Sequence, residues 1–302
     1  MSPPEQPNQS GRYEARYLAF LETTIQLRPS LHRYCARMTG SVMDGEDVVQ
    51  EALFEAYRKL EQFDATRALK PWLFRIAHNR SIDFLRKRGV RLEADAAAVA
   101  PDTVESNESA ALGLGGALEH LVISLPPMER ACVLLKDVFD YSLEEIAGLV
   151  DSTVGGVKAA LHRGRLKIKA APAPRKLPPA ENPELVQLLS LYVDRFNRRD
   201  WTGMRELISA DARLEVTGRY AGRLLDSPYF SRYEQLPEPV QLALGEVDGT
   251  PTVLIFKQVG GAWKPCSPVR IEVIDQRIAR ITDYFLCPWI LAAAAPPNSS
   301  AA

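Results

Sequence analysis

"TVGGVKAALHRGRLKIK", residues 153–169, places two glycines in the first turn of a segment whose apolar spacing predicts a helix. Val157, Ala160, Leu161, Gly164 and Ile168 share one face, Lys158, His162, Arg165 and Lys169 the opposite one, and Arg163 and Lys167 lie beside them. Each glycine costs about 1 kcal/mol against alanine in a helix interior. Just upstream, Ser142 and Glu145 form an S-x-x-E capping box for "LEEIAGLV", Asp151-Ser152 makes a tight turn, and Thr153 caps the quoted helix. Two helices joined this way are a helix-turn-helix, and the second one is cationic. The N-terminus of a helix offers unpaired N–H groups and a partial positive charge to phosphate, and glycine keeps side chains out of that approach. Alternatively, Gly155 and Gly156 make room for the preceding helix; the two readings are compatible.

Outward from this stretch, the 302 residues are enough for two or three domains, with an ordinary 46% hydrophobic and 25% charged composition. The formal net charge of -1 hides a segregation. Residues 151–176 carry seven Lys/Arg against one Asp, a balance of six positive charges, whereas 92–125 carries only acidic charges. A polyanionic partner should therefore meet a local patch. The start "MSPPEQPNQSGRYEAR" has no apolar h-region and no run is long enough for a membrane span, so a cytoplasmic protein without membrane association is expected. Cys35, Cys132, Cys266 and Cys287 are scattered, without metal-ligand spacing, and read as small buried hydrophobes. No cofactor or metal is implied.

Composition divides the chain into a helical block at 12–90, an acidic Ala/Ser/Gly-rich tether at 91–116, a second helical block at 117–170, a proline-rich spacer at 171–183, and a third block at 184–292. In the first block, "DGEDVVQEALFEAYRKL" (44–60) opens with Asp44 as an N-cap, with Asp47 three residues on. Val49, Leu53, Ala56, Tyr57 and Leu60 form a core stripe that leaves Asp47, Gln50, Glu51 and Glu55 for a partner. "KPWLFRIAHNRSIDFLRKRG" then reads as a helix from Pro71 at N1 to Gly89 at the C-cap. It buries Leu73, Ile76, Ala77 and Phe84 and carries a second stripe of Trp72, Arg75, Asn79, Asp83 and Arg86. An aromatic followed by cations on one face suits single-stranded nucleic acid, where bases stack and arginines hold phosphate.

These motifs, in this order, resemble the extracytoplasmic-function sigma factors of the sigma-70 family, over about residues 12–170. The resemblance implies two all-α domains, region 2 as a helical bundle and region 4 as the helix-turn-helix, with RNA polymerase core and promoter DNA as partners. It implies that Asp44, Asp47, Gln50, Glu51 and Phe54 dock on the clamp of the polymerase's largest subunit. Phe63 to Ala68, Trp72, Arg75, Asn79, Arg80 and Asp83 would melt and read the minus-ten element, with Arg86 and Lys87 on phosphate. Thr153, Gly155, Gly156, Lys158, His162 and Arg163 would read the minus-thirty-five element, with Arg165 and Lys167 as phosphate clamps. One departure is Gly156, where many relatives carry Thr or Ala.

In the third block, Leu185, Leu188, Leu189, Tyr192, Val193 and Phe196 predict a helix with one broad apolar face. "ARLEV", "VQLALGEV", "TVLIFKQV", "VRIEVI" and "IARITDYFL" then read as antiparallel strands, with turns at Asp248-Gly249, Gly260-Gly261 and Asp275-Gln276. This α+β block resembles the SnoaL-like polyketide cyclase superfamily, with the cone-shaped fold of nuclear transport factor two. Such extensions on sigma factors are thought to regulate in cis, which leaves room for a small-molecule ligand. The alternatives are a cyclase or isomerase fused to a DNA-binding module, and a helix-turn-helix repressor. The histidines His32, His78, His120 and His162 all precede the block, so catalysis would fall to a carboxylate among Asp194, Asp211, Glu215, Glu272 and Asp283. A ligand-sensing or interaction domain is the preferred reading.

Overall fold

A computed structural model describes residues 9–64, 66–98, 122–170 and 182–293. Most of the acidic tether and of the proline-rich spacer lies outside the described residues. The chain forms two compact units, one from the first two blocks and one from the third.

In the first unit, α1 (Gln9–Thr39) and α2 (Val42–Arg58) cross at Gly45, where a Cβ would sit 2.5 Å from the backbone of Ala36. Only glycine permits that approach. The N-cap of α2 is Ser41, whose hydroxyl accepts from the Asp44 N–H at 3.2 Å, so the helix starts three residues before the expected Asp44 cap. The buried stripe consequently runs through Val42, Gly45, Val49, Ala52 and Ala56, and Tyr57, expected in the core, is exposed. Helix α3 (Leu69–Ala98) holds Pro71 at its third residue and passes straight through Gly89, which has no left-handed φ and ends nothing. It continues into the start of the sequence read as a tether.

The second block forms α4 (Pro127–Val133) with a π-turn at Leu134–Val138, then α5 (Leu143–Leu149) and α6 (Val154–Ala170). It shares one core with the first block. Tyr34 and Phe74 meet Phe139 and Tyr141 with ring centroids 5.5–5.9 Å apart in tilted or edge-on pairs. The buried Arg130 guanidinium donates to the carbonyls of Met38, Ile123 and Leu125.

In the second unit, Asn182 caps α7 (Pro183–Asn197), accepting from the Leu185 N–H at 3.0 Å, so Pro183 opens a helix instead of closing the spacer. Leu189, Tyr192 and Phe196 are buried against the sheet, and short α8 (Trp201–Glu206) follows. The strands are β1 (Ile208–Val216), β2 (Tyr220–Arg223), β3 (Val240–Val247), β4 (Thr250–Val259), β5 (Ala262–Ile274) and β6 (Arg277–Asp283). Helices α9 (Tyr229–Glu234) and α10 (Trp289–Ala293) complete the unit. The sheet order is β2-β1-β6-β5-β4-β3. It is mixed and open, not a pure antiparallel meander, because β1 returns parallel to β6, with Leu214 beside Ile281. All three expected turns have positive φ at both central residues, as type I′ turns require. The final strand stops at Asp283, leaving Tyr284 to Leu286 outside it.

Candidate nucleic-acid interface

The two helices of the helix-turn-helix are capped as the sequence dictates. Ser142 N–H donates to Glu145 Oε2 at 2.7 Å and Glu145 N–H to Ser142 Oγ at 3.1 Å. Asp151 takes a φ of 53° in the turn, and Thr153 Oγ1 accepts from the Gly156 N–H at 3.0 Å. Val157, Ala160, Leu161 and Gly164 are buried, and Ile168 packs against them. Gly164 permits the crossing with α4, since a Cβ there would meet Val133 Cγ2 at 2.9 Å.

Neither of the two first-turn glycines makes room for α5. Gly155 is exposed, and an added Cβ would meet only Thr153 Oγ1 at 3.9 Å. At Gly156 it would meet the hydroxyls of Ser152 and Thr153 at 2.7 and 3.3 Å, the cap itself. The N-terminal turn of α6 therefore presents bare backbone to solvent, which is what close approach to phosphate needs.

Its cations fall into two sets. Lys158, His162 and Lys169 are exposed and make no ion pair among the described residues. The other three are tied down. Arg163 and Lys167 both reach Glu129 of α4, at 3.0 and 2.9 Å, and Arg165 pairs with Asp137. The two cations hold the Glu129 carboxyl below its ordinary range, Lys167 contributing most. Glu129 was missed in the sequence, and the i+34 separation from Arg163 explains why.

On α3, Arg75, Asn79, Arg86 and Lys87 are exposed. Trp72 is half-buried and packs at a 35° tilt against the buried Phe63, centroids 4.5 Å apart, which anchors the loop after α2 instead of leaving the indole free. Arg80 turns back to Glu55 at 2.6 Å, Asp83 pairs with Arg86 at 2.5 Å, and Arg75 sits 3.8 Å from Asp151 in the helix-turn-helix. Burial would raise the Glu55 carboxyl, but hydrogen bonds from Lys59 and Arg80 outweigh it and the group is lowered.

On α2, Phe54 is 64% exposed and Glu51 lies beside it, around a shallow groove that also takes in Glu55, Arg58 and Arg80. Gln50 instead donates to Glu46 at 3.1 Å, the buried carboxylate that Arg28 also holds. Asp44 lies 4.0 Å from Arg88, and Asp47 is half-buried.

His78, on the buried side of α3, bonds through Nδ1 to the Tyr34 hydroxyl at 2.9 Å, and burial lowers its pKa to about 4. Cys35, Cys132 and Cys287 are buried and Cys266 is half-buried, all as free thiols. Burial pushes the Cys35 thiol up to about 12.

The family model for Sigma-70 region 2 matches residues 25–91, and that for Sigma-70, region 4 matches 115–168. The chain is 32% identical over 159 residues to the ECF RNA polymerase sigma factor SigW of Bacillus subtilis, covering 49% of this chain and 85% of that protein. The chain belongs to the ECF RNA polymerase sigma factors. As a sigma factor it is a transcription regulator and not an enzyme, which sets aside the cyclase and isomerase reading. The sigma factor SigG of Mycobacterium tuberculosis is 28% identical over 317 aligned positions, covering 90% of this chain and 82% of its own, so that likeness reaches into the third block. The M. tuberculosis extracytoplasmic function sigma factor SigJ is similar in structure, at 18% identity and a TM-score of 0.37, covering 87% of this chain and 95% of that one. Among the described residues no helix is long and apolar enough to cross a membrane.

Proposed function

We propose that this sigma factor delivers RNA polymerase core to promoters in the cytoplasm. Its α2 face around Glu51 and Phe54, with Asp44, Asp47 and Gln50 at its margin, docks on the clamp of the largest subunit. Arg75, Asn79, Arg80, Asp83, Arg86 and Lys87 of α3 act at the minus-ten element, with Trp72 holding the reading loop in place. The start of α6, from Thr153 to His162, enters the minus-thirty-five element, and the third block regulates output in cis, taking a small molecule to do so.

The observation that carries the reading is the start of α6. It is capped by Thr153, stripped of side chains at Gly155 and Gly156, and flanked by exposed Lys158 and His162, which make no ion pair among the described residues. A repressor would use the same helix, but it has no need of the exposed Phe54 on α2. Run-off transcription from genomic fragments, with core polymerase alone and with the protein added, tests the proposal. Promoter-specific transcripts should appear only when both are present. Repression of basal transcription without new start sites would favour the repressor reading. A chain ending at Lys176 should still bind core, with output on one promoter changed several-fold. Unchanged output would remove the regulatory role from the third block.

A further inference from the structure

Asp283 ends β6 as the one buried carboxylate among the five candidates named above in the third block; Asp194, Asp211, Glu215 and Glu272 are exposed. Its Oδ2 accepts from the hydroxyl of Tyr229 at 2.8 Å and from that of Tyr233, and its Oδ1 accepts from the Phe285 N–H at 2.8 Å. No cation pairs with it among the described residues. A carboxylate has about four lone-pair directions. Three are filled from the protein, which fixes the group in place and leaves one direction open.

That group lines a cavity of about 200 Å³ whose walls are Val216, Leu236, Phe285 and Leu286. Arg219 and Arg232 line the same cavity, are themselves exposed, and make no ion pair among the described residues. A cavity of about 150 Å³ accepts benzene. The space therefore suits one substituted ring, or a chain of similar bulk. An acceptor at the floor, apolar walls and two guanidinium groups at the rim define three separate requirements. They are a hydroxyl donor, a compact apolar body and an anionic head, the last matched by the planar forks of arginine.

The geometry points to a ligand site in the third domain for a small hydroxylated organic anion of about one ring, its hydroxyl on Oδ1 of Asp283 beside the Phe285 N–H and its anionic group on Arg219 and Arg232. This rests on the reading of the third block as a domain that takes a small molecule, and it names the place and the chemistry. The three donors hold Asp283 whether or not a ligand is present, so the site is preformed and binding should cost little reorganisation.

The test is isothermal titration of the full chain with 4-hydroxybenzoate as the probe. One saturable site is expected, in the millimolar range or tighter. Benzoate, which lacks the hydroxyl, should bind about 10-fold more weakly, as one hydrogen bond predicts. The double variant Arg219→Ala, Arg232→Ala changes only exposed side chains, so it should fold and lose at least about 10-fold of affinity for the probe. Tyr233→Phe, which frees a lone pair of Asp283 but weakens its anchoring, should change the ratio of 4-hydroxybenzoate to benzoate binding. Absence of saturable probe binding, or equal binding by wild type and the double variant, overturns the site. Run-off transcription on the same preparation separates this from the broader proposal. Promoter-specific transcription without probe binding rejects the site and leaves the sigma-factor role standing, while probe binding without transcription does the reverse.

Discussion

Glu129 of α4 lies 3.0 Å from Arg163 Nε and 2.9 Å from Lys167 Nζ, so one acidic side chain holds two of the cations on α6. Those cations must exchange a fixed partner for phosphate or base, whereas Lys158 exchanges only water. Lys158→Ala should therefore weaken binding to a minus-thirty-five duplex by several-fold on every sequence and flatten the salt slope by about one. Arg163→Ala should cost less than Lys158→Ala. Fluorescence anisotropy across a salt series checks the order. A larger loss for Arg163→Ala, confined to one base position, would return that residue to base reading.

Phe54 is mostly exposed on α2, so truncating it removes little buried surface. Phe54→Ala, alone or with Glu51→Lys, should lower affinity for core polymerase by about 10-fold or more, as loss of an aromatic anchor does. The unfolding free energy should stay within about 0.5 kcal/mol of wild type, the usual range for surface changes. Core binding measured by size-exclusion or surface resonance, beside a urea titration, separates docking from folding.

Two glycines should respond to alanine with opposite signs. Gly45→Ala drives a Cβ to 2.5 Å from the Ala36 backbone and should cost about 1–3 kcal/mol by forcing α1 and α2 apart. Gly89→Ala meets nothing within 4 Å inside helix α3 and should add up to about 1 kcal/mol. Urea unfolding of the full chain reads both.

His78 is neutral in the fold, with its pKa lowered by burial from 6.5 to about 4. Below pH 6.5 the unfolded chain takes up a proton that the folded chain refuses. Stability is thus complete above pH 6.5 and falls between pH 6.5 and 4, by at most about 3 kcal/mol from this group. Burial lowers His32 as well, and it works in the same direction. His78→Gln keeps an acceptor for Tyr34 and should flatten the slope of the urea midpoint between pH 7 and 5. An unchanged slope would assign the acid sensitivity elsewhere.

What the sequence made legible was local. The Ser142–Glu145 box, the Thr153 cap and the three I′ turns each depend on residues no more than three apart, and each formed as read. The inward faces of α6 and α7 followed from apolar period alone. The start of α2 was misjudged because Ser41 and Asp44 are both good caps, and the choice depends on burying Val42 and Met43 against the rest of the unit. Gly89 misled because a glycine ends a helix only when its φ turns positive, which composition does not specify. The parallel pairing of β1 with β6 and the tie between Glu129 and Arg163 join distant segments, and no short-range pattern encodes them. Asp283 was visible as one of five candidate carboxylates, but only the fold set it between Tyr229 and Tyr233.

The aromatic contact of Tyr34 and Phe74 with Phe139 and Tyr141 has a calorimetric consequence. A partner that needs the first two blocks apart must expose those rings to water, and exposure of apolar surface raises heat capacity. Binding that only buries surface lowers it. The sign of the heat-capacity change on adding core or promoter duplex therefore distinguishes engagement of the packed unit from prying it open, and in the second case the observed affinity is the intrinsic one scaled by the fraction of molecules already open.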